Sequence, residues 1–416
     1  MQSVILHLDM NSYFASVEQQ ANPFLRGKSV GVCAYPSIHS CVIASSIEAK
    51  KKGIKTGCRA KDALFLDPEV KLVVCDPDKY RTVTQKIFRI LAEYSEDIET
   101  YSIDEAFLDL TGWVPDLEAA RELGLKLQNR IRDEIGEWLR CSIGIAETRW
   151  LAKFAGDTVE KGSVLVLRTE DLSAYYNKFV LTDAWGINVR MERRLQRLGI
   201  STLNDLRTYP VENIMRSLGK YGYQLWANVN GVPLGGIVRD RLPKSIGHSH
   251  VLLDRNERSL PRRVLMKLCE KTGRRLREKG LQATGLSVWW SFLDGGGFHY
   301  STAVSHPIFD TTDIFRPAAD LLHYGARGHD LLALAVSVFG LAPRVHQLSF
   351  FEDVEGKDAV VRAVDRVNDR WGDYTVIRGS MWQTDKHAPD RIGFRKTVSW
   401  RANGAEVARG WKGGEI

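Results

Sequence analysis

The stretch Tyr101-Ser-Ile-Asp-Glu-Ala-Phe-Leu-Asp-Leu110 sets two adjacent carboxylates, Asp104 and Glu105, between runs rich in apolar residues. Asp97-Ile-Glu-Thr-Tyr101 leads into it with polar and apolar residues in alternation, the period of a half-buried strand. The pattern predicts a hairpin whose acidic corner lies at a sheet edge. Hard oxygen ligands in apolar surroundings suit Mg²⁺, which takes one or two carboxylates and completes its shell with substrate phosphates. Alone, an Asp-Glu pair is ordinary turn chemistry. The amino terminus changes the reading. Val4-Ile-Leu-His-Leu-Asp9 predicts a strand that delivers a third carboxylate at its end. Asn11 or Ser12 is suited to cap the helix that follows. Strand-Asp-helix together with Asp-Glu on a hairpin gathers carboxylates for metal ions.

Leu8-Asp-Met-Asn-Ser-Tyr-Phe-Ala-Ser-Val-Glu18, taken with Ser102-Ile-Asp-Glu-Ala-Phe-Leu-Asp109, resembles the paired signature of the Y-family, or translesion, DNA polymerases. The bacterial polymerase IV and V branch is the nearest part of that family. The resemblance implies an α+β multidomain chain: a right-hand polymerase with a ferredoxin-like palm, small fingers, a helical thumb and a β-α-β-β-α-β little finger. It implies that Asp9, Asp104 and Glu105 are catalytic and hold two Mg²⁺ ions, with the Met10 carbonyl as a further ligand. Tyr13 and Phe14 then meet the incoming nucleotide, Phe14 lying under the sugar to exclude a 2′-hydroxyl. Lys50 and Lys161 would reach the triphosphate, although Lys50 also belongs to a lysine run at 50–52 that reads equally as a solvated face. Two departures stand out. Ile47 and Lys50 stand where the family commonly has Tyr and Arg, and Glu160-Lys-Gly-Ser163 lacks the proline of the usual Lys-Pro-x-Gly.

Along the chain, residues 1–165 alternate strands and helices and are assigned to the palm, with fingers inserted at 20–78. Helices are predicted at 80–94 and 117–138, a strand over Cys141–Ala146, and a helix opening at Trp150. Residues 166–234 read as the thumb. There Asp183-Ala-Trp-Gly-Ile-Asn188 and Arg193–Ile200 resemble a helix-hairpin-helix, which grips phosphate through backbone amides at Gly186 and Asn188. Asn188 replaces the expected second glycine and is expected to tolerate the left-handed conformation. A linker at 235–242 precedes the little finger at 243–344, whose elements read in the order β-α-β-β-α-β. Lys244 and Ser245 open its first strand and resemble a template contact.

Charge enters here. The 416-residue chain carries a net +7, and residues 255–279 alone hold ten Arg or Lys against three Glu. That stripe, with Arg262, Arg263, Lys267 and Lys271, suits DNA phosphates; a solvated face is the competing reading. The tail, 345–416, begins His346-Gln-Leu-Ser-Phe-Phe351, which resembles a sliding-clamp peptide through Gln347, Leu348, Phe350 and Phe351. Packing of Phe350 and Phe351 on the little finger is the alternative. A helix is expected at 360–371 and a loosely ordered polar end from 372 onward. The six cysteines include no Cys-x-x-Cys pair, so zinc and disulfides are not indicated. No signal peptide or membrane span is legible, and the longest near-apolar run, Leu331–Ala342, is too short to cross a bilayer. The expectation is a cytoplasmic monomer acting on primer-template DNA and deoxynucleoside triphosphates during damage tolerance, with the sliding clamp as partner and accessory subunits left open. No segment is left for a proofreading exonuclease, so low fidelity follows from the resemblance. A catalytically silent scaffold and a nucleotidyl cyclase-like enzyme are the rival classes. The three intact carboxylates disfavour the first, and the basic little finger disfavours the second.

Overall fold

In the computed structural model, described for residues 3–238, 242–252, 259–345 and 354–389, the chain divides into two compact units, Met1–Asp240 and Arg241–Asp390. The first unit opens with β1 (Ile5–Met10), apolar at most positions and buried along nearly its whole length, which suits it to the middle of a sheet. α1 (Tyr13–Ala21) follows directly. Neither candidate cap bonds a helix amide through its side chain. Ser12 sits in the left-handed region at φ 51, and Asn11 instead accepts a hydrogen bond from the Ser142 hydroxyl.

A small lobe comes next, in the segment expected to be the fingers: β2 (Val30–Cys33), β3 (Val42–Ser45), α2 (Ile47–Lys51), α3 (Ala60–Leu66) and β4 (Lys71–Val74). Its sheet has the order β3-β2-β4 and a core of its own around Val42, Ile54 and Ala63. The chain returns through α4 (Pro77–Ala92), which starts earlier than the predicted 80 because Asp76 caps it and Pro77 fits its first turn. The acidic hairpin is β5 (Ile98–Thr100) and β6 (Glu105–Asp109). Then come α5 (Leu117–Glu134), β7 (Cys141–Ala146), α6 (Arg149–Thr158) and β8 (Val164–Val166).

These strands form one sheet of order β5-β6-β1-β7-β8, with β1 antiparallel to both neighbours. α6 lies directly on β7 because Gly144 and Gly156 carry no side chains there. A Cβ on Gly144 would run into the backbone of Ala152 and Gly156, and one on Gly156 would stand 2.6 Å from His7 Nδ1. The unit is completed by α7 (Leu172–Tyr176), α8 (Val189–Gln196), α9 (Leu203–Thr208) and α10 (Val211–Val229), whose core includes Phe154, Tyr176, Leu195 and Leu225. Asn188 does not adopt the left-handed conformation expected of it. Gly186 does, at φ 101, while Asn188 at φ −93 caps α8 by accepting from the amides of Arg190 and Met191.

In the second unit the expected order holds: β9 (Ser245–Val251), α11 (Leu260–Glu278), β10 (Leu281–Phe292), β11 (Gly297–Ile308), α12 (Thr311–Gly325) and β12 (Leu331–Pro343). The sheet runs β11-β10-β12-β9, all antiparallel, and α11 and α12 share a core with it. α13 (Val354–Trp371) begins earlier than predicted. The expected loose end does not begin at 372. Through 389 the chain packs on the unit, with Met381, Thr384 and Ala388 each at most 5% exposed.

Candidate active site

The end of β1 and the corner of the acidic hairpin are tied together. The Met10 amide donates to the Asp104 carbonyl at 2.9 Å, and Asp9 stands in register with Glu105. Asp9, Met10 and Asp104 line a cleft of about 480 Å³, together with Tyr13, Phe14, Lys50 and Lys161. Desolvation pushes the Asp9 carboxyl up to about 7, helped by the charges of Asp104 and Glu105, while Lys161 works in the opposite direction. Asp104 is likewise raised by desolvation, although the Ser102 hydroxyl donates to it.

Glu105 behaves differently. Burial opposes its ionisation, but the His7 hydrogen bond and the Lys153 ammonium prevail and hold it down to about 2. Lys153 bonds both Glu105 and Asp157, and His7 Nε2 lies 3.2 Å from Glu105 Oε1. The His7 ring is fully buried, which lowers its pKa and keeps it neutral. Nε2 is then the donor, and Nδ1 has no partner among the described residues. Two of the expected carboxylates thus face the cleft, and the third is engaged by Lys153 and His7. Among the described residues no three His, Cys, Asp or Glu side chains form a ready-made ion cage. The cause is the close seating of α6, which brings Lys153 against Glu105. The donor set still suits a hard divalent cation, since Asp9 and Asp104 are oxygen ligands in one cleft, each raised by desolvation first and by neighbouring carboxylate charge as well.

Phe14 is 3% exposed, and its ring stacks on Tyr80 at 4.5 Å. Tyr13 lines the cleft, but its hydroxyl turns inward, donating to the Tyr80 carbonyl and meeting Thr84. Lys50 donates to the Ser12 hydroxyl at 2.8 Å. Ile43, Ala44, Ser45, Lys51 and Thr56 also line the cleft. Sequence reasoning missed these, as it missed His7 and Lys153. The signal for Lys153 was present, a lone lysine within the otherwise apolar run Trp150-Leu-Ala-Lys-Phe-Ala155.

Away from the cleft, Gly186 and Asn188 form the turn into α8, where two of the helix's first amides are already taken by the Asn188 side chain. In the second unit Lys244 and Ser245 are exposed at the start of β9. The basic stripe is a correction. Lys267 is 4% exposed, and its ammonium donates to the carbonyls of Thr384 and Asp385. Lys271 donates to those of Ala388 and Pro389, and Arg263 to that of Trp382. Arg262 alone of the four stays exposed, over the Phe315 ring. Arg263, Lys267 and Lys271 thus dock the chain's own C-terminal segment, whose Met381 and Ala388 are buried in the core that α11 shares. The peptide Gln347–Phe351 lies outside the described residues.

Comparison with known proteins agrees with this geometry. Residues 8–157 match the impB/mucB/samB family, and residues 243–350 match that family's C-terminal domain. The DNA polymerase IV of Pelotomaculum thermopropionicum is 31% identical over 389 residues, covering 91% of this chain and 95% of its own. DNA polymerase IV 2 of Bacillus subtilis is 29% identical over 392 residues, with 91% and 94% covered. Among solved structures, a chimeric Y-family DNA polymerase matches with a TM-score of 0.72 at 22% identity, over 82% of this chain and 100% of its own. With two acidic cleft residues, a little-finger fold and these relatives in one chain, the protein belongs to the impB/mucB/samB family and is a Y-family translesion DNA polymerase.

Proposed function

We propose that nucleotide addition to the primer 3′ end takes place in the cleft of Asp9 and Asp104. The observation that carries this reading is the sharing of one cleft by two repelling carboxylates and two lysines, Lys50 and Lys161. Asp9, Asp104 and the Met10 carbonyl would hold Mg²⁺, with Glu105 joining them from its partnership with Lys153. Two such ions, when bound, activate the primer hydroxyl and stabilise the leaving pyrophosphate. The residues of the chain do the rest. Lys50 and Lys161 neutralise the triphosphate, the Tyr80-backed Phe14 ring stands against the sugar, and Ile43, Ala44 and Ile47 give the base an apolar, unreactive surface.

The test is primer extension on undamaged and abasic templates by the wild type and by Asp104→Ala. Loss of several kcal/mol of transition-state stabilisation predicts at least about 10²-fold less extension, with primer-template affinity nearly kept. Substantial extension by the variant would overturn the assignment. The clamp peptide is a separate part of the reading, supported by its sequence alone. Replacing Gln347, Leu348, Phe350 and Phe351 by Ala should remove stimulation by the host's sliding clamp. Synthesis without any clamp should stay unchanged; an earlier melt and slower synthesis without any clamp would make the segment structural.

A further inference from the structure

α13 carries its aspartates and its arginines on adjoining faces. Its aspartates turn inward. Asp365 bonds Arg277 at 2.7 Å, Asp369 bonds Arg274 at 2.7 Å, and the buried Asp358 bonds Arg344 at 2.5 Å. Val361 and Asn368 are buried on the same side. Arg362, Arg366 and Arg370 are all exposed, although Arg362 also pairs with Asp358 one turn before it. They recur every fourth residue, so they stand about 6 Å apart along one outward row of the helix. The exposed Ala359 and Ala363 stand beside that row and do not screen it. Trp371 ends it, 65% exposed, with the Arg370 guanidinium 5.2 Å from its ring centroid. Glu355, two turns before Arg362, is the one outward-facing acid of the helix that is not paired with α11.

The helix therefore passes positive charge from one surface to another. Its acidic side pairs with Arg274 and Arg277 of α11, and its outer side presents Arg366 and Arg370 together with Arg362, which Asp358 shares. Asp358 and Arg362 form one opposite-charge pair at i and i+4, but from Arg362 to Arg370 the row itself is of one sign, where a solvated helix ordinarily mixes both. Arginine is also the better phosphate ligand of the two basic residues, since its planar fork binds two oxygens at once.

We propose that Arg362, Arg366 and Arg370, with Trp371 beside them, form a second DNA-binding surface of this polymerase that takes backbone phosphates without regard to sequence. The proposal rests on the polymerase activity, which supplies the polyanion, and not on the assignment of the metal ligands. The experiment uses the full chain with Arg362, Arg366 and Arg370 all changed to Gln, and measures anisotropy of a labelled primer-template across a salt series. The plot of log Kd against log salt should flatten by about 2 to 3 for the lost phosphate contacts, equally for unrelated sequences. In steady-state extension the KM for primer-template should rise by a larger factor than kcat falls. Should the triple variant melt early, Arg366→Gln alone should still flatten the slope by about 1. An unchanged slope and affinity in a folded variant overturns the proposal. So does a variant that binds DNA as the wild type does while losing affinity for phosphatidylserine vesicles, which would make the stripe a membrane contact.

Discussion

Asp9 carries its carboxyl at about 7, raised from 3.8 by desolvation first and by the charge of Asp104 next. Between those values the folded chain keeps a proton that the unfolded chain has released. The contribution of this group therefore falls as pH rises through that window and stays low above it. Asp9→Asn removes the charge but keeps the shape. In chelator, the variant should melt above the wild type near about pH 8, match it near about pH 4, and extend no primer. Thermal melts at the two pH values decide this, and a lower melt at the higher pH would break the account. Phe14 belongs to the same scale. Its spacing from Asp9 made it legible in the sequence, whereas its support by Tyr80 comes from a residue 66 positions away. Phe14→Ala should raise ribonucleotide use relative to deoxynucleotide use, while costing about 3 to 5 kcal/mol of stability as a buried aromatic truncation. The ratio of the two activities, taken well below the melting temperature, separates a sugar gate from a core residue, for which both would fall together.

At the level of elements, the elements expected in α11 and its neighbours were legible, but the role of α11 was not. A row of basic residues one turn apart looks alike whether it faces phosphate or backbone carbonyls. The carbonyls that take Lys267 lie 117 and 118 residues further along the chain. Since the Lys267 stem is already buried, Lys267→Met should keep the fold to within about 1 to 2 kcal/mol and leave the salt dependence of DNA binding unchanged. Urea denaturation and the anisotropy series measure the two effects. A flatter salt slope in a folded Lys267→Met protein would restore the phosphate reading. The helix-hairpin-helix turn shows the same limit. The motif marked the place, and only the backbone revealed that Gly186 takes the left-handed position while Asn188 caps.

Across the whole molecule, the C-terminal segment is a built part of the second unit. A chain ending at Val345 would leave Lys267 without the carbonyls it bonds and Arg277 without Asp365, so that unit should unfold at a lower temperature than in the full chain. Calorimetry of the two proteins checks this; equal transitions would show the segment to be dispensable. No helix among the described residues is long and apolar enough to cross a membrane, in line with the sequence. The sequence by itself determined the palm strands with their helices and the order of elements from β9 to β12, because strand alternation, helical periodicity, caps and turns act over a few residues. It also marked Asp9, Asp104 and Phe14, whose chemistry goes with short local motifs. Only the tertiary structure decided which partner each charge meets. Glu105 finds Lys153 across 48 residues because Gly144 and Gly156 let α6 sit down on β7. Lys267 finds Thr384 where Met381 and Ala388 are buried in the core that α11 shares. Such pairings depend on distances through space, which the packing of remote apolar surfaces sets and no local pattern encodes.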